Sequence, residues 1–247
     1  MKSSITKLTA AAVVVVVIII GIQHLKSDAS TAEIAGSLGP ASTQAPVAAP
    51  ELVPIEIKLP KPMFVGTEKD IRVPYLEPLA ESCPPFLAPV GTTNVALGKQ
   101  VFSSDDEPII GEIEMITDGD KEAADGSYVE LGPFAQHVTI DLEAMHEIYA
   151  IVIWHFHKEP RVYFDVVVQV ADDPDFITNV RTLFNNDIDN SVGLGAGKDK
   201  HYVETNNSKL ICARGVQARY VRLYSSGNNF NDLNHYIEVE VYGKPVE

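Results

Sequence analysis

The second half of the chain contains short segments in which β-branched and other apolar residues alternate with polar ones, separated by Asp, Gly, Asn and Pro. A period of two places one face of each segment against a core, which is typical of β-strands. One of the segments is apolar throughout, as expected for a strand covered on both faces. Residues 143–147 fit a single helical turn at most. The pattern predicts an antiparallel sandwich or barrel, with strands at Val138–Leu142, Ile148–Trp154, Phe164–Val170, Tyr220–Tyr224 and Ile237–Tyr242.

The preceding residues are too irregular and too rich in proline to form a second core. Residues 29–50 combine Ala, Ser, Thr, Gly and Pro with almost no charge, which predicts a flexible linker. Residues 51–92 contain one alternating stretch, Ile55–Leu59, followed by prolines that lack the amide donor of a central strand. We expect this lead-in segment to run extended over the domain at 93–247, packed down by its apolar residues: Met63, Phe64, Tyr75, Leu76, Phe86 and Leu87.

The first 28 residues have the features of an export signal. A short basic stretch, Met1–Lys7, precedes the 15 apolar residues Leu8–Ile22. That length suits a signal peptide and is slightly short for a membrane span. A small-x-small cleavage pattern occurs at Ser27–Ala29. Whether the segment is cleaved or stays as an anchor, the domain is expected outside the cytoplasm, touching a membrane only through this segment.

The formal net charge of −15 excludes one class of partner. A surface this acidic repels phosphate backbones, so no nucleic-acid partner is expected. Cations and neutral ligands remain compatible with it. The two cysteines, Cys83 and Cys212, are too few for a metal motif. In an exported domain they would form a disulfide between the lead-in segment and the sandwich, or else remain independent thiols.

Three motifs mark the ends of the domain: Asn94–Lys99, Ile116–Asp120 and Tyr236–Gly243. In this order they resemble the F5/8 type C (discoidin) family, whose fold is also described as galactose-binding-like. The resemblance covers residues 93–247 and implies an all-β, antiparallel jelly-roll β-sandwich. It also implies a module that binds and does not catalyse. No serine lies in a nucleophile elbow, and no His-Glu-x-x-His motif is present.

The turn Asp118-Gly-Asp120 suggests calcium, since carboxylates and nearby carbonyls supply the hard oxygen ligands that this ion takes. Asp-Gly is also an ordinary turn. In the resembling family such a turn shares a structural calcium ion with a glutamate in the last strand, here Glu238. A following Ser, here Ser127, often contributes. An insertion at 121–126 makes Asp125 the alternative.

His155, His157 and Arg161 follow the apolar strand and are candidates for binding sugar hydroxyls, as residues of this loop do in the resembling family. On an extended chain the two histidines point the same way. A zinc-like site would need a third ligand, and none is close in sequence. A purely structural role is the other alternative. Trp154 is expected in the core.

Two further loops contain candidate polar groups. Residues 225–235 join the last two strands and include Asn228, Asn229 and Phe230, which are candidates for ligand contacts because amides donate and accept hydrogen bonds. The glycine-rich loop 187–198 contains Asp187 and Asp189. These residues would bind a second cation or simply belong to a mobile acidic loop.

Together these features predict an exported, non-catalytic carbohydrate-binding module with a structural Ca²⁺ and a glycan partner. The alternative is a cell-envelope structural or protein-interaction domain on the same fold, bound to an envelope protein and lacking a sugar site. A small metalloenzyme built on the histidine pair is a third hypothesis.

Overall fold

The structure is a computed structural model that describes residues 50–63, 67, 70–78 and 86–246. The predicted signal or anchor segment and all but the last residue of the predicted linker lie outside these residues. Cys83 does too, so its disulfide with Cys212 stays a prediction. Cys212 itself is exposed. Within the described residues, no helix is both long enough and apolar enough to span a membrane.

The regular structure consists of eleven β-strands and one short 3-10 helix at Ile113–Thr117 within the described residues. All pairing between the strands is antiparallel, which confirms the predicted all-β class. The strands are β1 (Leu52–Ile55), β2 (Phe86–Pro89), β3 (Thr93–Asn94), β4 (Val101–Ser103), β5 (Val129–Leu131), β6 (Gln136–Trp154), β7 (Val167–Ala171), β8 (Arg181–Asn185), β9 (Lys209–Ser225), β10 (Asn234–Tyr236) and β11 (Glu238–Pro245).

Seven strands form one large sheet in the order β3-β11-β6-β9-β7-β8, with β4 added beside β6. Because β6 and β7 both run antiparallel to β9, the chain must cross over between them. Likewise, β9 and β11 both run antiparallel to β6, which lies between them, so the chain crosses over between β9 and β11 as well. These crossovers are residues 155–166 and 226–237. Together with the small sheet β5-β10 they form the second layer of the predicted β-sandwich.

The main core lies between these two layers. Inward residues of the large sheet, such as Val138, Ile140 and Leu223, are fully buried there. The crossovers contribute Tyr163 and Tyr236 to the same cluster. Alternation along the strands therefore determines which side chains face the core, as the sequence pattern predicts.

Two strands predicted as separate are one continuous strand, β6. The expected helical turn at 143–147 is wrong, since these residues lie within β6. The ladder with β9 shifts register between Asp141 and His146, and Glu143 has a positive φ of 67°. A bulge of this kind absorbs extra residues while the strand continues on either side.

The lead-in segment packs on the outer face of the large sheet. Its strands β1 and β2 pair with each other, and Pro54 and Pro89 are tolerated because a two-stranded sheet consists only of edges. The strand lies at 52–55 and not at the expected 55–59. Phe86 and Ala88 join Trp154 in a second buried cluster. This cover explains why Ile148–Trp154 is apolar on both faces.

We predict that Phe86→Ala lowers the free energy of unfolding by about 3 kcal/mol, because it removes a buried aromatic ring and leaves a cavity. The adjacent Leu87→Ala is the matched control. Leu87 is 53% exposed, so its truncation should cost less than about 0.5 kcal/mol. Urea unfolding of both variants measures the difference. Equal stability of the two variants would show that the lead-in segment is not part of the folded domain.

Candidate functional site

The two crossovers lie side by side and bring predicted site residues together. Asn229 holds them, since the amide of Val162 donates to Asn229 Oδ1 at 2.7 Å and the amide of Asn229 donates to the Val162 carbonyl at 3.1 Å. Phe164 makes a further pair of backbone hydrogen bonds with Ser226 and Gly227. As a result Arg161 and Phe230, 69 residues apart in the chain, lie next to each other.

Arg161 is fixed between aromatic rings. Its guanidinium lies 4.7 Å from the ring centroid of Phe156 on one crossover and 5.5 Å from that of Phe230 on the other. Nη2 donates to Glu159 Oε2 at 3.1 Å. The Phe230 side chain is 58% exposed. We name the surface formed by Glu159, Arg161, Asn229 and Phe230 the crossover patch.

Asn228 has a different role from the one predicted. It is buried, and its Oδ1 accepts hydrogen bonds from the amides of Phe230 and Asn231. Its Nδ2 donates to Asn231 Oδ1 and to the Leu233 carbonyl. These bonds use the amide group within its own loop. Asn228 therefore shapes the loop that presents Phe230, and it does not face a ligand.

His155 and His157 are also placed differently from the prediction that they contact a ligand. Both residues are fully buried. His155 Nδ1 lies 3.0 Å from Glu204 Oε2, and its ring stacks on Tyr163 at 4.4 Å. His157 Nε2 lies 3.0 Å from the Lys121 carbonyl oxygen. Neither ring reaches solvent, so this placement corresponds to the structural alternative.

A pair from the small sheet, the buried His235 and the half-buried Glu130, lies beside Arg161. His235 on β10 lies opposite Glu130 on β5, and its Nε2 is 2.9 Å from Glu130 Oε2. Arg161 Nη1 lies 3.2 Å from the same ring nitrogen. Burial, followed by the charge of Arg161, lowers the pKa of His235 to about 3. Burial likewise raises the pKa of Glu130. His235 is therefore neutral at neutral pH.

Glu130, His235 and Glu159 belong to this arrangement, although the sequence alone does not predict them. Glu130 and His235 lie in strands of three residues, which are too short to give a periodic pattern. Of the three, His235 is the one that the sequence could indicate, because it is the last residue of the asparagine-rich loop 225–235. Long-range contacts such as Glu130 with His235 are not visible in local spacing.

The Asp118-Gly-Asp120 turn meets Glu238, as the predicted calcium site requires. The amide of Gly119 donates to Glu238 Oε2 at 3.1 Å. The other oxygen, Oε1, is buried and has no hydrogen-bond partner among the described residues. Burial raises the pKa of Glu238 to about 9, with further contributions from Glu240 and Asp118. A buried carboxylate oxygen without a donor, beside an acidic turn, fits a cation.

The remaining predicted calcium ligands differ in placement. Asp118 and Asp120 are exposed, and each accepts a backbone amide of the turn. Asp125 is exposed and pairs with Lys158 at 2.5 Å, so it is not directed at Glu238. Ser127 is half-buried, and its amide donates to the Ala124 carbonyl.

A second acidic cluster involves the glycine-rich loop. Within the described part of the chain, carboxylate oxygens of Asp165, Asp187 and Asp189 lie within 4.8 Å of one another. Ser191 bridges them, because its hydroxyl donates to Asp165 Oδ2 at 2.9 Å and its amide donates to Asp187 Oδ1 at 2.9 Å. Burial and the two other carboxylates raise the pKa of Asp165. Hydrogen bonds within the loop account for this arrangement.

No model of a protein family matches the sequence, and no curated protein matches it. Solved structures that resemble it include a family 89 glycoside hydrolase from Clostridium perfringens, with a TM-score of 0.46 and 19% identity over 62% of this chain. The chain spans only 15% of that enzyme's length.

Two other similar structures are binding modules. One is a CBM32 module from Clostridium perfringens, in complex with GlcNAc-α-1,4-galactose (TM-score 0.44, 18% identity, 63% of this chain and 96% of the module). The other is a fucose-binding module from Streptococcus pneumoniae (TM-score 0.43, 19% identity, 61% of this chain and 97% of the module).

We predict that His235 makes the fold sensitive to acid. Its pKa is about 3 in the folded protein and about 6.5 in an unfolded chain, so the unfolded state binds more protons between these values. The free energy of unfolding therefore decreases as the pH falls from 6.5 to 3. His235→Gln should flatten this slope by up to about 1.4 kcal/mol per pH unit. Urea unfolding across this range, referenced to pH 7.5, measures it. Parallel curves for the two proteins would contradict the prediction.

Proposed function

We propose that the protein is an exported, non-catalytic carbohydrate-binding module and that the crossover patch is its ligand surface. The observation that carries this proposal is the exposed Phe230 ring beside Arg161, whose position is fixed by contacts from both crossovers. An exposed aromatic ring next to fixed polar groups is what a small polar ligand with an apolar ring face requires. Export rests on the N-terminal sequence alone.

The chemistry of the crossover patch suits a neutral sugar. Phe230 offers an apolar ring to the C–H groups of a pyranose. Arg161 supplies planar donors, and Glu159 accepts hydrogen bonds from hydroxyls. Because Glu159 already pairs with Arg161 at 3.1 Å, the patch has little uncompensated charge. We therefore infer a neutral glycan.

Rigidity of the patch supports binding as its role. Asn228 and Asn229 tie the Phe230 loop to its own backbone and to the other crossover. His235 and Glu130 lie beside Arg161 and limit its movement. A side chain that is already ordered loses less conformational entropy when a ligand binds.

We also propose a structural calcium ion at the Asp118–Asp120 turn, with Glu238 as its buried ligand. The unpartnered Glu238 Oε1 supports this assignment, whereas Glu240 nearby is already paired with Lys121 at 2.6 Å. The ion would neutralise Glu238 and fasten the turn to β11. Its contribution would be to stability and not to a reaction.

A glycan array tests the binding proposal. We expect the purified full chain to bind selected neutral glycans, and Phe230→Ala and Arg161→Gln each to weaken binding by about tenfold or more. Leu87→Ala is the control, because Leu87 is an exposed apolar side chain on the lead-in segment and belongs to neither proposed ligand site. It should leave binding of these glycans unchanged.

A blank array, with the protein shown to be folded, would contradict the binding proposal. The alternative of a cell-envelope structural or protein-interaction domain would then be favoured. Equal loss of binding in Phe230→Ala and Leu87→Ala would instead contradict the assignment of the crossover patch.

Calcium should raise the melting temperature of the chelator-treated protein. Ligand at 100 times its Kd stabilises by about 2.7 kcal/mol, or roughly 5–10 °C for a domain of this size. Glu238→Gln should abolish the shift because it removes the buried charge. Asp165→Asn, in the second acidic cluster, is the control and should retain the shift. If Asp165→Asn alone abolishes the calcium response, the ion binds at that cluster and the Glu238 assignment is wrong.

A further inference from the structure

The outer face of the large sheet is only half covered. The lead-in segment packs over the C-terminal half of β6, where Ala150, Val152 and Trp154 are buried. The N-terminal half of β6 points His137 and Thr139 away from the core, since Val138 and Ile140 between them face inward. This part, which the lead-in segment does not cover, lies on the side of the sheet opposite the crossovers.

A cavity of about 180 Å³ occurs there. Register brings its walls together, because Thr139 on β6 is paired with Phe102 on β4 and with Arg222 on β9. The loop after β7 contributes Pro174. The cavity is lined by Phe102, Ser103, His137, Thr139, Pro174, Tyr220 and Arg222.

Arg222 is the cation of this cavity, and its position is fixed. Nε donates to Thr139 Oγ1 at 2.8 Å, and Nη2 donates to the Pro174 carbonyl at 2.8 Å. The Phe176 ring centroid lies 4.0 Å from the guanidinium. These partners are neutral. Across the residues described here, no carboxylate lies within 4.0 Å of Arg222.

Among the described residues, other arginines without an ion pair, such as Arg181 and Arg214, are exposed, whereas Arg222 is half-buried and held in place in a chain that has 34 acidic and 19 basic side chains. Arg219, on the same strand, forms two hydrogen bonds with the Asp141 carboxylate. Both guanidinium groups are therefore held in place, but Arg219 is paired with a carboxylate and Arg222 is not. A planar guanidinium without a counter-ion suits an incoming carboxylate.

The other lining groups suit a sugar ring. Phe102 is 48% exposed and offers an apolar face. Burial, followed by the charge of Arg222, lowers the pKa of His137 to about 4, so its ring is neutral and can both donate and accept.

We propose that this cavity is a second ligand site, separate from the crossover patch, which binds the ring of an acidic sugar (a uronic acid) through its carboxylate. The proposal deepens the proposed function and rests on it. Arg222 would bind the carboxylate, Phe102 would pack against the ring, and His137 and Ser103 would bind hydroxyls. The protein would then hold two different parts of a mixed, partly acidic glycan on opposite sides of the large sheet.

Calorimetric titration of the purified full chain with sodium galacturonate, its methyl ester and galactose tests this proposal. We expect galacturonate to bind at least about tenfold more tightly than the neutral ester, with an affinity that falls at high salt. Arg222→Gln should remove this preference, and Phe102→Ala should weaken all binding at the cavity. Arg181→Gln is the charge-matched control, since Arg181 is exposed on β8.

Phe102 is half exposed, so Phe102→Ala should fold and test the site even if Arg222→Gln does not. Galacturonate binding that survives Phe230→Ala but not Arg222→Gln supports two sites. Absence of galacturonate binding, or binding unaffected by both Arg222→Gln and Phe102→Ala, overturns the second site. Galacturonate binding that is lost in Phe230→Ala and retained in Arg222→Gln also overturns the second site, because it places the acidic sugar on the crossover patch. None of these negative results affects the neutral-glycan binding on which the proposed function depends.

Discussion

The antiparallel ladder between β6 and β9 determines where the other strands of the large sheet and the two crossovers lie. Both strands are long. On the far side of β9 lies β7, which runs parallel to β6, and on the far side of β6 lies β11, which runs parallel to β9. Each parallel relation requires a crossover. The two crossovers have the same core to cover, so they lie side by side in the second layer. Arg161 and Phe230 meet because of this topology, although nothing in their local sequence relates them.

The lead-in segment completes the other side of the ladder. It buries the apolar outer residues of β6 near Trp154 and leaves the polar and aromatic residues near His137 uncovered. The outer face therefore has one half that contributes to stability and one half available to a ligand. The sequence of β6 shows the same two halves, because β6 is apolar on both faces only in its second half.

The fold class could be predicted from the sequence because period-two alternation reports directly on which side chains face a core. The single strand through 143–147 could not, since a bulge with a positive φ at Glu143 disrupts that period. The loops that supply the candidate site were identified by composition. The roles within them were not, because burial decides these roles: His155, His157 and Asn228 lie inside, whereas Phe230 is exposed. Glu130 and Arg222 act through partners distant in sequence.

The role proposed for the crossover patch is the binding of a neutral glycan. A crystal structure of the full chain with the best-binding glycan of an array would show where that glycan lies. We expect a sugar ring packed on Phe230, with hydroxyls within hydrogen-bond distance of Arg161 and Glu159. A glycan bound elsewhere, with Phe230 left in solvent, would contradict it.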